Sequence, residues 1–165
     1  ASIPMLGEHN VLNALAAAAV GISVGMEVAD IARALTTLKL MSKWRMEVHH
    51  LPGDITIIND AYNANPSSMA AALHSLQSMN AKRRIAFVGL MAELADPEHD
   101  HREIAALAQS LGIELVAVNT DAYGVPGVDL AKAAEIGRGL GEGDAVLVKG
   151  SRVAQLERLV EQLLM

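Results

Sequence analysis

The sequence predicts an α/β fold, a mainly parallel sheet flanked by helices, preceded by a short helical piece. Three observations carry this. Short apolar runs alternate with helical patterns from Ile55 to the end of the chain. The runs Ile55-Thr56-Ile57-Ile58, Ile85-Ala86-Phe87-Val88-Gly89-Leu90, Leu115-Val116-Ala117-Val118 and Ala145-Val146-Leu147-Val148 are apolar on both faces, so they need cover on both sides. The first forty residues carry two helical patterns and no strand.

Each element has its own signal. Gly7-Glu8-His9-Asn10 opens an alanine-rich run to Val20 that Gly21 closes, which reads as a buried helix with a polar first turn. A second helix spans about Glu27 to Leu38, with Val28, Ile31, Ala32 and Leu35 on one face. Lys39 to Trp44 reads as a connector. Met46 to Leu51 alternates, Pro52-Gly53 marks a turn, and the run from Ile55 completes a hairpin. Helices are expected from Ser67 or Pro66 to about Met79, Pro97 to Leu111, Leu130 to Leu140 and Val153 to Leu164. Asp96, Pro97 and the acids after them form a standard helix start. The expected division is 1–42, two helices too few to bury both their faces alone, and 43–165, the α/β domain.

Composition excludes several classes. Hydrophobic residues make up 52% of the 165 and charged residues 19%, enough for a packed core. Trp44, Tyr62, Tyr123 and Phe87 are the only aromatics, so that core is built mainly from Ala, Leu, Val, Ile and Met. The formal net charge is −6 and no Lys/Arg run occurs, which argues against a nucleic-acid partner. Cysteine is absent, which rules out disulfides and thiolate metal sites and fits a cytoplasmic protein. No signal-peptide pattern opens the chain. The longest apolar stretch, Val11 to Val24, is interrupted by Asn13, Gly21 and Ser23 and is too short to span a bilayer.

In parallel sheets ligands gather beyond the carboxyl ends of the strands. Here those ends lead into Asn59-Asp60-Ala61-Tyr62-Asn63-Ala64-Asn65-Pro66, Gly89-Leu90-Met91-Ala92-Glu93, Asn119-Thr120-Asp121 and Lys149-Gly150-Ser151-Arg152. The first is dense in donors and acceptors; it reads equally as a turn with a helix cap. The last suits an anion at a helix N-terminus, or a plain capped helix with Ser151 as N-cap. Asn10 and Asn13 share a helix face and suit either a planar ligand or capping. His99 and His101 fall on different helix faces, and His49-His50 reads as a strand pair, so neither is a metal site. No Gly-x-x-x-x-Gly-Lys-Ser/Thr phosphate loop, Gly-x-Gly-x-x-Gly, Gly-x-Ser-x-Gly or His-Glu-x-x-His occurs.

Taken in order, these segments resemble the Mur ligase family. Gly7-Glu8-His9-Asn10-Val11-Leu12-Asn13-Ala14-Leu15-Ala16-Ala17 is similar to the family's Gly-x-His-Asn-x-x-Asn-Ala-x-Ala-Ala helix, and Arg45-Met46-Glu47-Val48 to its arginine-bearing strand entry. Asn59 to Met69 and Val148-Lys149-Gly150-Ser151-Arg152 resemble the branch that adds D-alanyl-D-alanine to a UDP-MurNAc-tripeptide. The resemblance implies three domains: one for the UDP sugar, a central ATPase whose helical end would be 1–42, and a C-terminal Rossmann-like domain, 43–165. It implies ATP contacts at Asn10, Asn13, Arg45 and Asp60, and dipeptide-side positions at Tyr62, Asn63, Asn65, Lys149 and Ser151. The alternative is a folylpolyglutamate or cyanophycin synthetase type with another amine, or a non-catalytic binding module. ATP and Mg²⁺ would serve the whole ligase. No catalytic residue and no metal ligand is expected in this chain, and ATP binding by it alone is expected to be weak or absent, because the phosphate loop is missing. Where the family often has Gly-Asp-Met-x-Glu-Leu-Gly, this chain has Gly89 to Ala95, with Leu90 for the acid and Ala95 for the last glycine.

Overall fold

A computed structural model describes residues 2–4, 8–38 and 43–165. The chain divides into two compact units, 1–42 and 43–165. The first holds α1 (Glu8–Ser23) and α2 (Val28–Thr36). Gly21 does not close α1, contrary to the sequence expectation. The helix runs on to Ser23, and Gly25, at φ +84°, makes the turn instead. That left-handed conformation is cheap only for glycine. Nor is α1 buried, as its alanine content suggested: Val11, Leu12, Leu15, Val20 and Ile22 are all exposed. The connector Lys39 to Ser42 and Gly7 of the first motif lie outside the described residues.

The second unit contains β1 (Glu47–Leu51), β2 (Ile55–Asp60), α3 (Pro66–Gln77), β3 (Arg84–Val88), α4 (Pro97–Ser110), β4 (Glu114–Ala117), α5 (Leu130–Arg138), β5 (Ala145–Lys149) and α6 (Glu157–Leu163). The sheet order is β1-β2-β5-β3-β4. β1 and β2 form the expected antiparallel hairpin, and β2, β5, β3 and β4 run parallel. The mixed α/β class expected from the apolar runs is the observed one.

The pleat sorts the strand residues onto two faces. Ile57, Ile85, Phe87, Val116, Val146 and Val148 join Ala133, Ala134, Leu156, Leu159 and Val160 of α5 and α6 in one core. The alternate residues, including Ile58, Ala86 and Leu147, are equally buried, as are Met69, Leu73 and Leu76 of α3. The chain leaves β5, in mid-sheet, toward α6, which packs with α5 in that core, while its neighbours β2 and β3 lead into α3 and α4. Such divergence of neighbouring strands opens a crevice at their carboxyl ends.

The last helix is broken, not continuous from Val153 to Leu164. Residues Arg152–Ala154 make one 3-10 turn, Gln155 sits at φ +51°, and α6 begins at Glu157. The interruption lets Leu156 reach full burial in the core, which a straight helix starting at Val153 does not require.

Candidate functional site

The centre of the crevice is an ion pair made by register. β2 and β5 are parallel neighbours with Asp60 opposite Lys149, so both final side chains leave the same face of the sheet. Lys149 Nζ donates to Asp60 Oδ2 at 2.5 Å and to the carbonyl of Asn63 at 2.8 Å. The backbone N–H of Met46 donates to Asp60 Oδ1 at 3.0 Å. Lys149 is only 2% exposed and Asp60 9%. Both carboxylate oxygens of Asp60 are therefore engaged from within the chain, and Lys149 ties the segment after β2 to β5.

Antiparallel pairing brings the start of β1 to the same end, since Glu47 lies opposite Asn59. Trp44 and Met46 adopt φ +60° and +49°, which turns the entering chain across the strand ends. Tyr62 N–H donates to the carbonyl of Trp44 at 3.0 Å. The Arg45 guanidinium then lies over the Tyr62 ring, 4.1 Å from its centroid. Arg152 covers the Trp44 ring at 4.3 Å and pairs with Glu157 at 2.6 Å.

Ser151 is the second knot. Of its two sequence readings, an anion site or a helix cap, the cap fails at the side chain: Ser151 stands before the 3-10 turn but makes no side-chain cap hydrogen bond. Instead its hydroxyl donates to the carbonyl of Ala64 at 3.2 Å and accepts from Ala92 N–H at 2.8 Å. Its own N–H donates to Leu90 O at 2.9 Å. One buried serine thus joins the segments after β2, β3 and β5. Close approach is required here: a Cβ on Gly89 would sit 2.6 Å from Ala154 Cβ.

The segment after β3 is fixed by groups that sequence reasoning passed over. His101, fully buried in α4, accepts Met91 N–H at Nε2 (2.9 Å), while Nδ1 lies 2.6 Å from the carbonyl of Pro97. Nδ1 must carry the proton to donate to a carbonyl, which leaves Nε2 free to accept. Tyr123 stacks edge-on against His101 and donates to Gly89 O at 2.8 Å. Burial pushes its phenol far above the ordinary range, so it stays a donor at any working pH. The only advance sign of His101 was its place one turn after Pro97. The departure residue Leu90 is 39% exposed on this segment.

The remaining candidates divide. Asn65 caps α3: its side chain accepts from Ser68 N–H at 2.9 Å, while Ser68 Oγ returns a bond to Asn65 N–H. Replacing it with Ala is expected to cost about 1 kcal/mol, read by urea denaturation. Asn63 is exposed, with its side-chain oxygen accepting from Ala64 N–H. Asn10 and Asn13, in the first unit, lie 3.4 Å apart on one face of α1, as their spacing predicted. His99, Asp100 and Glu103 have ligand atoms close together near the start of α4, yet His99 is also expected there as a helix-surface residue paired with Glu103.

Residues 44–163 match the family model described as Mur ligase, glutamate ligase domain. The chain is 33% identical, over 98% of its length, to the UDP-N-acetylmuramoyl-tripeptide–D-alanyl-D-alanine ligase of Bacillus subtilis (strain 168), and covers 39% of that protein. The Mycobacterium bovis enzyme of the same name is 43% identical over 69% of this chain, which covers 24% of it. Among solved structures, the UDP-N-acetylmuramoylalanyl-D-glutamyl-2,6-diaminopimelate–D-alanyl-D-alanyl ligase of Acinetobacter baumannii superposes with a TM-score of 0.86 at 30% identity. That match takes in 98% of this chain and 38% of the Acinetobacter one. The chain therefore spans well under half the length of these relatives.

Proposed function

Because this chain belongs to the Mur ligase family, we propose that it is the C-terminal part of an ATP-dependent ligase joining D-alanyl-D-alanine to UDP-MurNAc-tripeptide in cell-wall synthesis. The observation that carries the reading is its likeness, almost end to end, to ligases of that name. The Tyr62 to Pro66 run, which resembles this branch, supports the same acceptor.

In the reaction the tripeptide's terminal carboxylate takes the γ-phosphoryl of ATP, releasing ADP. The dipeptide's amine then attacks the acyl phosphate, forming the amide and releasing phosphate. Transfer of this kind depends on positioning and on charge stabilisation. The share of this chain is positioning: Arg45 presents its guanidinium to the nucleotide from the mouth of the crevice, and the resemblance of the α1 motif to the family's makes Asn10 and Asn13 nucleotide contacts as well. Asp60 acts through the Arg45 segment, because its carboxylate fixes the backbone at Met46. Lys149 and Ser151 hold the loops that face the dipeptide rather than touching it, since both are buried and engaged. Tyr62, Asn63 and Asn65 line the exposed side of the same segment.

Mg²⁺ would neutralise charge on the phosphates. The described residues do not fit it: the carboxylate in the crevice is bound by Lys149 and Met46, and the cluster at His99 is exposed at a helix start. Its ligands and the phosphate loop would belong to a preceding ATPase domain. The bare apolar side chains of α1 support membership of 1–42 in that domain, because such a surface is stable when covered. No helix among the described residues is long and apolar enough to cross a membrane.

An acceptor panel on the whole ligase tests the reading. ATP-dependent phosphate release with UDP-MurNAc-tripeptide is expected with D-Ala-D-Ala and not with L-glutamate. Release with glutamate alone would transfer the chain to the polyglutamate-forming branch.

A further inference from the structure

We propose that Tyr62 is a positioning residue for the nucleotide, acting through Arg45, and does not contact the dipeptide. The inference rests on the ligase reading above but concerns a residue whose sequence context suggested the opposite side of the reaction. Arg45 is exposed, and among the described residues its guanidinium makes no hydrogen bond and no ion pair. Its contact is the Tyr62 ring, 4.1 Å below. A guanidinium held over an aromatic face by cation–π attraction keeps its N–H donors unspent, available to a phosphate. A long side chain left free would sample many rotamers, and ordering it on binding would weaken affinity.

The backbone makes the stack local and rigid. Tyr62 N–H is bonded to Trp44 O, and Met46 N–H to Asp60, so the residues flanking Arg45 are tied to those flanking the ring. Asp60, Tyr62 and Arg45 form one device: the carboxylate fixes the chain, the ring fixes the guanidinium, and the guanidinium meets the anion. The phenol oxygen has no part in it, because stacking uses the ring face.

Steady-state kinetics on the whole ligase test this, with ATP and D-Ala-D-Ala varied separately. Tyr62→Leu is expected to raise KM for ATP about two- to fivefold, the worth of an exposed cation–π contact. The kcat and the KM for D-Ala-D-Ala should hold, and Tyr62→Phe should behave as the parent. Arg45→Ala should raise KM for ATP further, and adding Tyr62→Leu to it should change nothing more. A Tyr62→Leu effect on the dipeptide KM, or an undiminished effect in the Arg45→Ala background, overturns the proposal. If Arg45→Ala weakens ATP while Tyr62→Leu does not, Tyr62 alone is wrongly placed and the ligase reading stands. If neither changes the ATP dependence of an active ligase, both the positioning role and the Arg45 assignment fall.

Discussion

Asp60→Ala is expected to destabilise the α/β unit by about 3–5 kcal/mol, because it strands a buried ammonium. Lys149 is almost wholly enclosed, and removing the carboxylate leaves it only the Asn63 carbonyl. Met46 N–H loses its acceptor as well. Lys149→Met should be milder, since Asp60 keeps Met46 and a carboxylate at the crevice mouth can recruit water. The double change, Asp60→Ala with Lys149→Met, should recover much of the loss, because an apolar replacement of both partners often costs little. Urea denaturation of the three variants measures the coupling. Additive losses would mean that the pair is solvated and that the two residues act independently. The consequence for function is direct: lost ligase activity in Asp60→Ala implicates the nucleotide only if the variant is still folded at the assay temperature.

Phe87→Ala is expected to cost a similar amount, about 3–5 kcal/mol. The chain has one phenylalanine, the fourth residue of β3, fully buried against the α5/α6 face among valines, isoleucines and leucines. None of these aliphatic neighbours is large enough to fill the space an Ala would leave. Phe87→Leu keeps most of the volume and should cost no more than about 1.5 kcal/mol. Thermal or urea unfolding gives both values. Near-equal losses for Ala and Leu would show that ring shape, rather than filled volume, sets the packing there.

How much of this was legible in advance follows from the range of each interaction. The four strands apolar on both faces and the β1–β2 hairpin are written in short windows, and all lie where the runs placed them. The Asp96 cap is equally local: its side chain accepts His99 N–H at 3.2 Å. Two helix boundaries were misread. Gly21 stays helical because the turn is made at Gly25, and the break at Gln155 serves the burial of Leu156. The crevice segments were located, but not the division of labour within them. Asp60 and Lys149 are 89 residues apart and meet only through the sheet order, which no local pattern encodes. The same holds for Ser151, whose partners Ala64 and Ala92 belong to two other loops. The burial of α1 was overestimated because alanine content reports helix propensity, not what covers the helix.

The most direct test of the central claim is product analysis on the whole ligase containing this chain. It is supplied with UDP-MurNAc-tripeptide, D-Ala-D-Ala, ATP and Mg²⁺, and the nucleotide-sugar pool is then read by mass spectrometry. The account predicts a UDP-MurNAc-pentapeptide, formed in step with ADP and phosphate and only when the dipeptide is present. ATP turnover without that product, or the product of a different amine at the tripeptide's carboxylate, would contradict it.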